Sequence, residues 1–168
     1  MAEHVLAQTF AATRPNETWI TDITYVPTAE GWLYFAGIKD VFTCEVVGYA
    51  MGARMMTGLV QRALRNALDT KRPAPGLIHH SDRGSQYCAQ AYQAQLRQFG
   101  LTASMSRKGN CYDNAPMESF WGTLKNELVH HRHYDTREQA QREITEYIEI
   151  FYNRYRRHSR LGNRSPAA

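Results

Sequence analysis

Three carboxylates sit where chemistry could use them. Asp82 lies in HHSDRGSQYC (His79–Cys88), directly after the apolar lead-in Gly76-Leu77-Ile78. Ser-Asp followed by Gly is ordinary turn chemistry, so the stretch alone has two readings: a turn, or a carboxylate presented at a strand end. Asp22 lies inside TWITDITYV and by alternation shares a face with Ile20, Thr24 and Val26. A carboxylate in a central strand is costly unless it is paired or binds a metal; an aspartate at a solvated sheet end is the plainer alternative. Glu118 falls near the start of a helix in DNAPMESFWGTLKNELV, where Asp113 or Asn114 can cap and Pro116 fits the first turn. Asn114, Glu118 and Lys125 are four and seven residues apart and share one helix face. Taken alone, that pattern is also what an exposed amphipathic helix shows. Taken together, converging carboxylates would repel unless hard cations neutralised them. Mg²⁺ or Mn²⁺ takes oxygen ligands and keeps positions for water and phosphate. Two such ions about 3.5–4 Å apart can activate an attacking oxygen and stabilise a leaving one, which is what in-line displacement at a phosphodiester requires.

The elements that must position these groups follow from the pattern. TWITDITYV, GWLYFAGIKD and CEVVGYAM have the β-branched and aromatic content of strands joined by short links, which predicts an antiparallel meander. Residues 56–70 have helical apolar spacing and end at KRPAPG; LIHH and LTASM are two further short strands, with a helix over 88–99 between them. Helices are predicted over 114–129 and 136–157, the last opened by a Thr136/Gln139 capping box with an apolar stripe Ala140, Ile144, Ile148, Phe151 and Tyr155. Strands followed by alternating helices and strands imply an α/β fold with a five-stranded mixed sheet and helices on both faces. Ligands of such sheets sit at the carboxyl ends of strands, where Asp82 would lie.

Composition sets outer bounds. The 168 residues suit one domain, read as an irregular lead-in over 1–15 and a core over 16–168. The net charge of +4 is concentrated: after Glu149 no acidic residue occurs, and Arg154, Arg156, Arg157, Arg160 and Arg164 follow. With Tyr152 and Tyr155 interleaved, this tail suits phosphate binding, the alternative being cations at a helix end. Three scattered cysteines argue against a disulfide framework and fit a reducing, cytoplasmic setting. No signal peptide pattern opens the chain and no apolar run is long enough to span a bilayer, so no membrane partner is expected.

At this point a resemblance becomes specific. TDITYV, HSDRGSQY, SMSRKGNCYDNAPMESFWGTLKNEL and YIEIFYNRYRRHSRLG occur in the order found in DDE transposases of the insertion sequence 3 family, which resemble retroviral integrases. The 35 residues between Asp82 and Glu118 match that group's spacing. The resemblance implies a ribonuclease H-like fold and Asp22, Asp82 and Glu118 as catalytic metal ligands for Mg²⁺ or Mn²⁺. It also implies Lys125 as a DNA contact, with Asn114 in the same block. The implied activity is DNA strand cleavage and strand transfer in bacterial cytoplasm at the nucleoid, by a homo-oligomer holding transposon ends and target DNA. A nuclease that cuts without joining, and a non-catalytic DNA-binding or dimerisation fragment, stay open beside it. Base-specific reading is expected from an upstream region, since no helix-turn-helix pattern precedes Asp22.

Weaker candidates complete the set. Arg107 and Lys108, in the loop before the Glu118 helix, could touch DNA, as could Arg154, Arg156 and Arg157. His79 and His80 are expected to support the acidic site or the core rather than ligate metal. His130, His131 and His133 lack the partners of a zinc site. The cysteines, and Trp19, Trp32 and Trp121, read as core residues.

Overall fold

A computed structural model describes residues 12–106, 114–158 and 161–167. β1 (Thr18–Thr28) and β2 (Gly31–Asp40) pair antiparallel along their full length, from Trp19 opposite Asp40 to Thr28 opposite Gly31. Gly31 closes the turn at φ 120°, a conformation that suits glycine. β3 (Val46–Gly52) adds antiparallel to β2, with a register shift at Ile38/Lys39. The β2–β3 turn is held by the buried Asp40, whose carboxylate accepts from the N–H groups of Asn16, Phe42 and Thr43 at 2.7–2.9 Å. α1 (Thr57–Lys71) then crosses the sheet. It lies so close to β3 that a Cβ on Gly48 would stand 2.5 Å from the Ala67 Cβ and 2.6 Å from the Ala63 carbonyl oxygen.

The chain next reverses its pairing sense. β4 (Ile78–Ser81) runs parallel to β1, and β5 (Thr102–Met105) parallel to β4, giving the sheet order β3-β2-β1-β4-β5. The expected 88–99 helix is two pieces, α2 (Ser85–Cys88) and α3 (Gln90–Gln98), broken at Ala89, which takes an extended conformation. α4 (Ala115–Glu127) and α5 (Arg137–Glu146) cover the other face. Alternation along β1 and β2 feeds two cores. Trp19, Ala36 and Ile38 pack with α1–α3; Ile20, Val26 and Phe35 pack with α4 and α5. The expected five-stranded mixed sheet with helices on both faces is therefore the observed fold.

The last helix departs from its predicted course. Thr136 caps it as expected, its Oγ1 accepting from Gln139 N at 3.1 Å, while Gln139 reaches back to Asp135 N at 3.0 Å. From Tyr147 to Tyr152 the helix widens into a π turn, with Asn153 N donating to Ile148 O at 3.1 Å. The extra residue per turn shifts the buried stripe. Ala140, Ile144 and Ile148 are buried as predicted, but they are joined by Tyr147 and Tyr152, while Phe151 and Tyr155 face solvent. The π turn also brings Asn153 to the sheet edge. Its Oδ1 accepts from Val46 N (2.9 Å) and its Nδ2 donates to Val46 O (3.1 Å). The helix ends there, so Arg154, Arg156 and Arg157 follow it rather than ride on it.

Candidate functional site

The parallel register of β1 and β4 decides where two of the carboxylates go. Ile20 stands opposite His80 in the last matched pair. Two residues further along each chain are Asp22, still in β1, and Asp82, just past the end of β4. Neighbouring strands lie about 4.8 Å apart, so continuing the register sets the two carboxylates side by side at the carboxyl end of the parallel pair. Asp82 also makes the turn that the sequence suggested, its Oδ1 accepting from Gly84 N at 2.7 Å. Both readings of that stretch hold at once. The turn leads into α2, which buries Tyr87 beneath the sheet with its hydroxyl 3.2 Å from Thr21 Oγ1.

Glu118 comes from the first turn of α4, exposed toward the same edge. How close α4 comes is set by a glycine. Gly37 is the β2 partner of Asp22; a Cβ there would lie 2.9 Å from Phe35 Cε1, 3.0 Å from Trp121 Cη2 and 3.5 Å from Met117 Cε. In that space the Trp121 ring packs edge-on against Phe35 and its Nε1 donates to Asp22 Oδ2 at 3.1 Å. Trp121 is thus core, as expected, and also holds a site carboxylate. The sequence carried the i, i+3 spacing of Glu118 and Trp121 that puts both near one helix face, but not the Gly37 gap that lets the indole in.

Electrostatics report the convergence. Burial pushes the Asp22 carboxyl from its ordinary 3.8 up to about 6; hydrogen bonds from Ile23 and Trp121 hold it down, while the charges of Asp82 and Glu118 raise it further. Among the described residues, no group of three or more His, Cys, Asp or Glu side chains is gathered tightly enough to hold a metal ion. Asp22 feels the charges of Asp82 and Glu118 without the three forming a closed cage. Their donor set is oxygen only, and a partly buried carboxylate strained by two like charges fits a hard divalent cation.

The other predicted residues divide. Lys125 Nζ donates to Thr24 Oγ1 at 2.9 Å, two residues beyond Asp22 on the same strand face, and stands 5.6 Å from the centre of the Tyr25 ring. Asn114 occupies the N-cap position of α4 without a side-chain capping bond; it is buried, and among the described residues its Oδ1 has no partner. His80 is fully buried between Ser104 Oγ (2.9 Å) and Ser106 Oγ (3.1 Å), which ties β4 to β5. It connects to the site through Ser106, whose carbonyl accepts from Arg83 Nε at 2.8 Å, the residue after Asp82. His79 lies on the opposite face against Tyr92 Oη at 2.6 Å, and burial lowers its pKa to about 4. Arg156 is half-buried and engaged by Glu127, Nε to Oε2 at 2.7 Å, which ties the tail to α4; Arg154 and Arg157 are exposed. Trp32 departs from expectation. It is 48% exposed, while Trp19 is 0% and Trp121 7%. Arg107, Lys108 and the alternative cap Asp113 lie outside the described residues. A cavity of about 800 Å³ lies between α3 and β5, lined by Gln93, Arg97 and Met105 among others, and none of the three carboxylates lines it.

Comparison with known proteins falls in line with this geometry. An integrase core domain model matches residues 12–111, and a second integrase core domain model matches 99–166. The chain is 66% identical over 168 residues to the insertion element IS600 uncharacterized 31 kDa protein of Shigella sonnei, covering 100% of this chain and 62% of that protein. It is 46% identical over 166 residues to the transposase InsF for insertion sequence IS3A of Escherichia coli K12, covering 99% and 58%. The chain therefore spans about three-fifths of the length of these curated relatives. The HTLV-2 integrase catalytic core domain in complex with magnesium superposes at a TM-score of 0.72 with 14% identity, over 94% of this chain and 97% of that one. That likeness gives the ribonuclease H-like fold. Among the described residues, no helix is long and apolar enough to cross a membrane.

Proposed function

The chain belongs to the integrase core domain family, and on that premise we propose that it is the catalytic core of an insertion-sequence transposase that cuts and joins DNA by in-line displacement at phosphodiesters. The supporting observation is the meeting of one carboxylate from β1, one from the end of β4 and one from α4 at a single sheet edge, close enough that each charge is felt at Asp22. Asp22, Asp82 and Glu118 are the residues that would hold Mg²⁺ or Mn²⁺, the choice of cation being supported by the magnesium-bound HTLV-2 core. When bound, such ions supply Lewis-acid activation of the attacking oxygen and charge stabilisation at the leaving one. The chain's own residues do the rest. Trp121 orients the Asp22 carboxylate, the Asp82 turn fixes where β4 releases the chain, and Lys125 supplies a cation beside the path of the DNA.

In this reading residues 16–168 form the core, with 1–15 as its lead-in. Asn114, whose acceptor at the head of α4 has no partner among the described residues, and Lys125 contact the DNA end. Arg107 and Lys108 add contacts from the loop before α4. Arg154 and Arg157 grip phosphates, and Arg156 braces the tail through Glu127. The active assembly is a homo-oligomer, because two DNA ends must be held, and it works in the bacterial cytoplasm at the nucleoid. The test is direct. In the full transposase, Asp22→Asn, Asp82→Asn and Glu118→Gln should each reduce divalent-dependent end cleavage at least about a hundredfold while the folded chain persists. Cleavage near the wild-type rate by any one variant removes that residue from the site. Cleavage without joined strand-transfer products would make the protein a nuclease.

A further inference from the structure

Where β1 and β2 run past the cover of α1, their outer face carries aromatic rings in the open. Tyr25 is opposite Tyr34 in the antiparallel register, and Trp32 is one alternation further along β2. On the same face, Ala36 and Ile38 are 0% exposed beneath α1, whereas Tyr25 is 53% exposed and Trp32 48%. The Tyr25 and Trp32 rings meet edge to face with centroids 4.7 Å apart, and Tyr25 and Tyr34 at 6.5 Å. Such a set is a rigid aromatic shelf.

Cations stand at both ends of the row. Across the sheet, Tyr34 is paired with Gly52 of β3. Residues paired directly across antiparallel strands point to one face, so the missing Gly52 side chain would stand beside Tyr34. The exposed Arg62 guanidinium from α1 occupies that position, its Nη2 3.3 Å from where the Cβ would be. At the other end is Lys125, 5.6 Å from the Tyr25 ring centre. Arg62 and Lys125 therefore flank the rings across three strands, about 10 Å at ordinary strand spacing.

The shelf is also close to the acidic site. Tyr25 is three residues beyond Asp22, about 10 Å along the strand, but on the opposite face. β1 pairs with β4 only over Thr18–Ile20, so no β4 pairing covers the β1 edge between the two sites. A strand leaving the carboxylates can pass over that edge, where Lys125 already reaches Thr24 and Tyr25 together.

We propose that Tyr25, Trp32 and Tyr34, framed by Arg62 and Lys125, form a platform for an unpaired DNA strand next to the acidic site. The rings take bases by stacking, which every base permits, and the two cations take the flanking phosphates. The charge at both ends selects a polyanion over an apolar protein segment. This inference rests on the reading of the chain as a DNA-processing core, and it concerns strand binding rather than cleavage.

The test uses the 168-residue chain in EDTA, with a short oligothymidine and a blunt duplex as probes, read by tryptophan emission and by titration at several salt concentrations. Oligothymidine should quench the Trp32 emission. Trp32→Ala should weaken oligothymidine binding about tenfold and leave duplex binding unchanged, with Trp32→Phe restoring most of the loss. Arg62→Ala should lower the single-strand log–log salt slope by roughly 0.7. Because Trp32 and Arg62 are exposed, thermal unfolding should match the wild type. Unchanged oligothymidine affinity in Trp32→Ala, or an equal loss for the duplex, overturns the platform. A change in self-association without any change in oligothymidine binding also overturns it and assigns the face to a protein contact. Without divalent ions no cleavage enters the readout, so failure of the acidic site and failure of the platform are distinguishable: an inert triad leaves the quench intact.

Discussion

Replacing Asp22 by Asn should make the cation-free protein more stable at neutral pH. Folding lifts the Asp22 carboxyl from 3.8 to about 6. A raised carboxyl favours the folded state fully below the unfolded value, and that stability is lost as pH rises through about 6. At pH 7.5 the charged form is therefore held at a cost. Roughly two pKa units correspond to about 3 kcal/mol; solvent screening at the open side of the site reduces the expected gain for Asn to about 1–3 kcal/mol. Asn has the shape of Asp and still offers an oxygen to the Trp121 N–H. Urea unfolding in EDTA at pH 7.5 should move to a midpoint higher by about 0.5–1.5 M, and the difference should shrink as pH falls below about 6 and vanish well below the unfolded value of 3.8, where wild-type Asp22 is protonated in both states. Added Mg²⁺ should then stabilise the wild type and not the variant, because it acts on the charge the variant lacks. An Asn variant less stable than the wild type at pH 7.5, or a gain that does not change between pH 4 and 7.5, would refute the view of Asp22 as a carboxylate strained by burial and by its neighbours' charge.

Three further outcomes follow from neighbouring contacts. Trp121→Phe keeps most of the packing against Phe35 but removes the donor to Asp22; the Asp22 carboxyl should rise further, read as a steeper fall in stability between pH 5 and 7.5, with a loss of about 1.5–3 kcal/mol at pH 7.5. His79, lowered from 6.5 to about 4 by burial, stabilises the fold above 6.5, a contribution lost as pH falls through about 4. His79→Gln should flatten the acid side of the stability profile followed by circular dichroism, and an unchanged acid limb would remove His79 as its cause. In the tail, alanine at Arg154 and Arg157 should each reduce the duplex salt slope by roughly one unit. Alanine at Arg156 should instead lower thermal stability by breaking the Glu127 pair, with little effect on the slope.

The strands were legible because their segments are rich in β-branched and aromatic residues bounded by turn residues, and the acidic residues because two of them interrupt that pattern at strand centre and strand end. What the sequence hid depends on distances between segments far apart in the chain. The Gly37 gap has meaning only once Trp121 lies over it. Trp32 was read as core because large apolar rings usually are; its exposure follows from the point where α1 stops covering the sheet, a tertiary matter. The capping box at Thr136 was visible as local chemistry, whereas the π turn eleven residues later was not, since Ile148, Phe151 and Tyr155 continue the apolar spacing of a regular α-helix. A single added residue per turn displaced Phe151 and Tyr155 from the stripe and ended the helix before the arginines.

That wider turn also governs how the molecule behaves in a crowded cell. β3 is an outer strand of the sheet, and an outer strand with open amides and carbonyls is a template on which other chains can polymerise. The side-chain amide of Asn153 engages both backbone groups of Val46 as a neighbouring peptide would. It acts as a one-residue counterfeit strand, a stopper at the rim. Only the π phase turns Asn153 toward the rim; a regular α-helix would rotate it about 100° away and uncover Val46. Sequences that drift toward a more regular helix here would thus gain local helix regularity at the cost of a sheet that can be extended from outside.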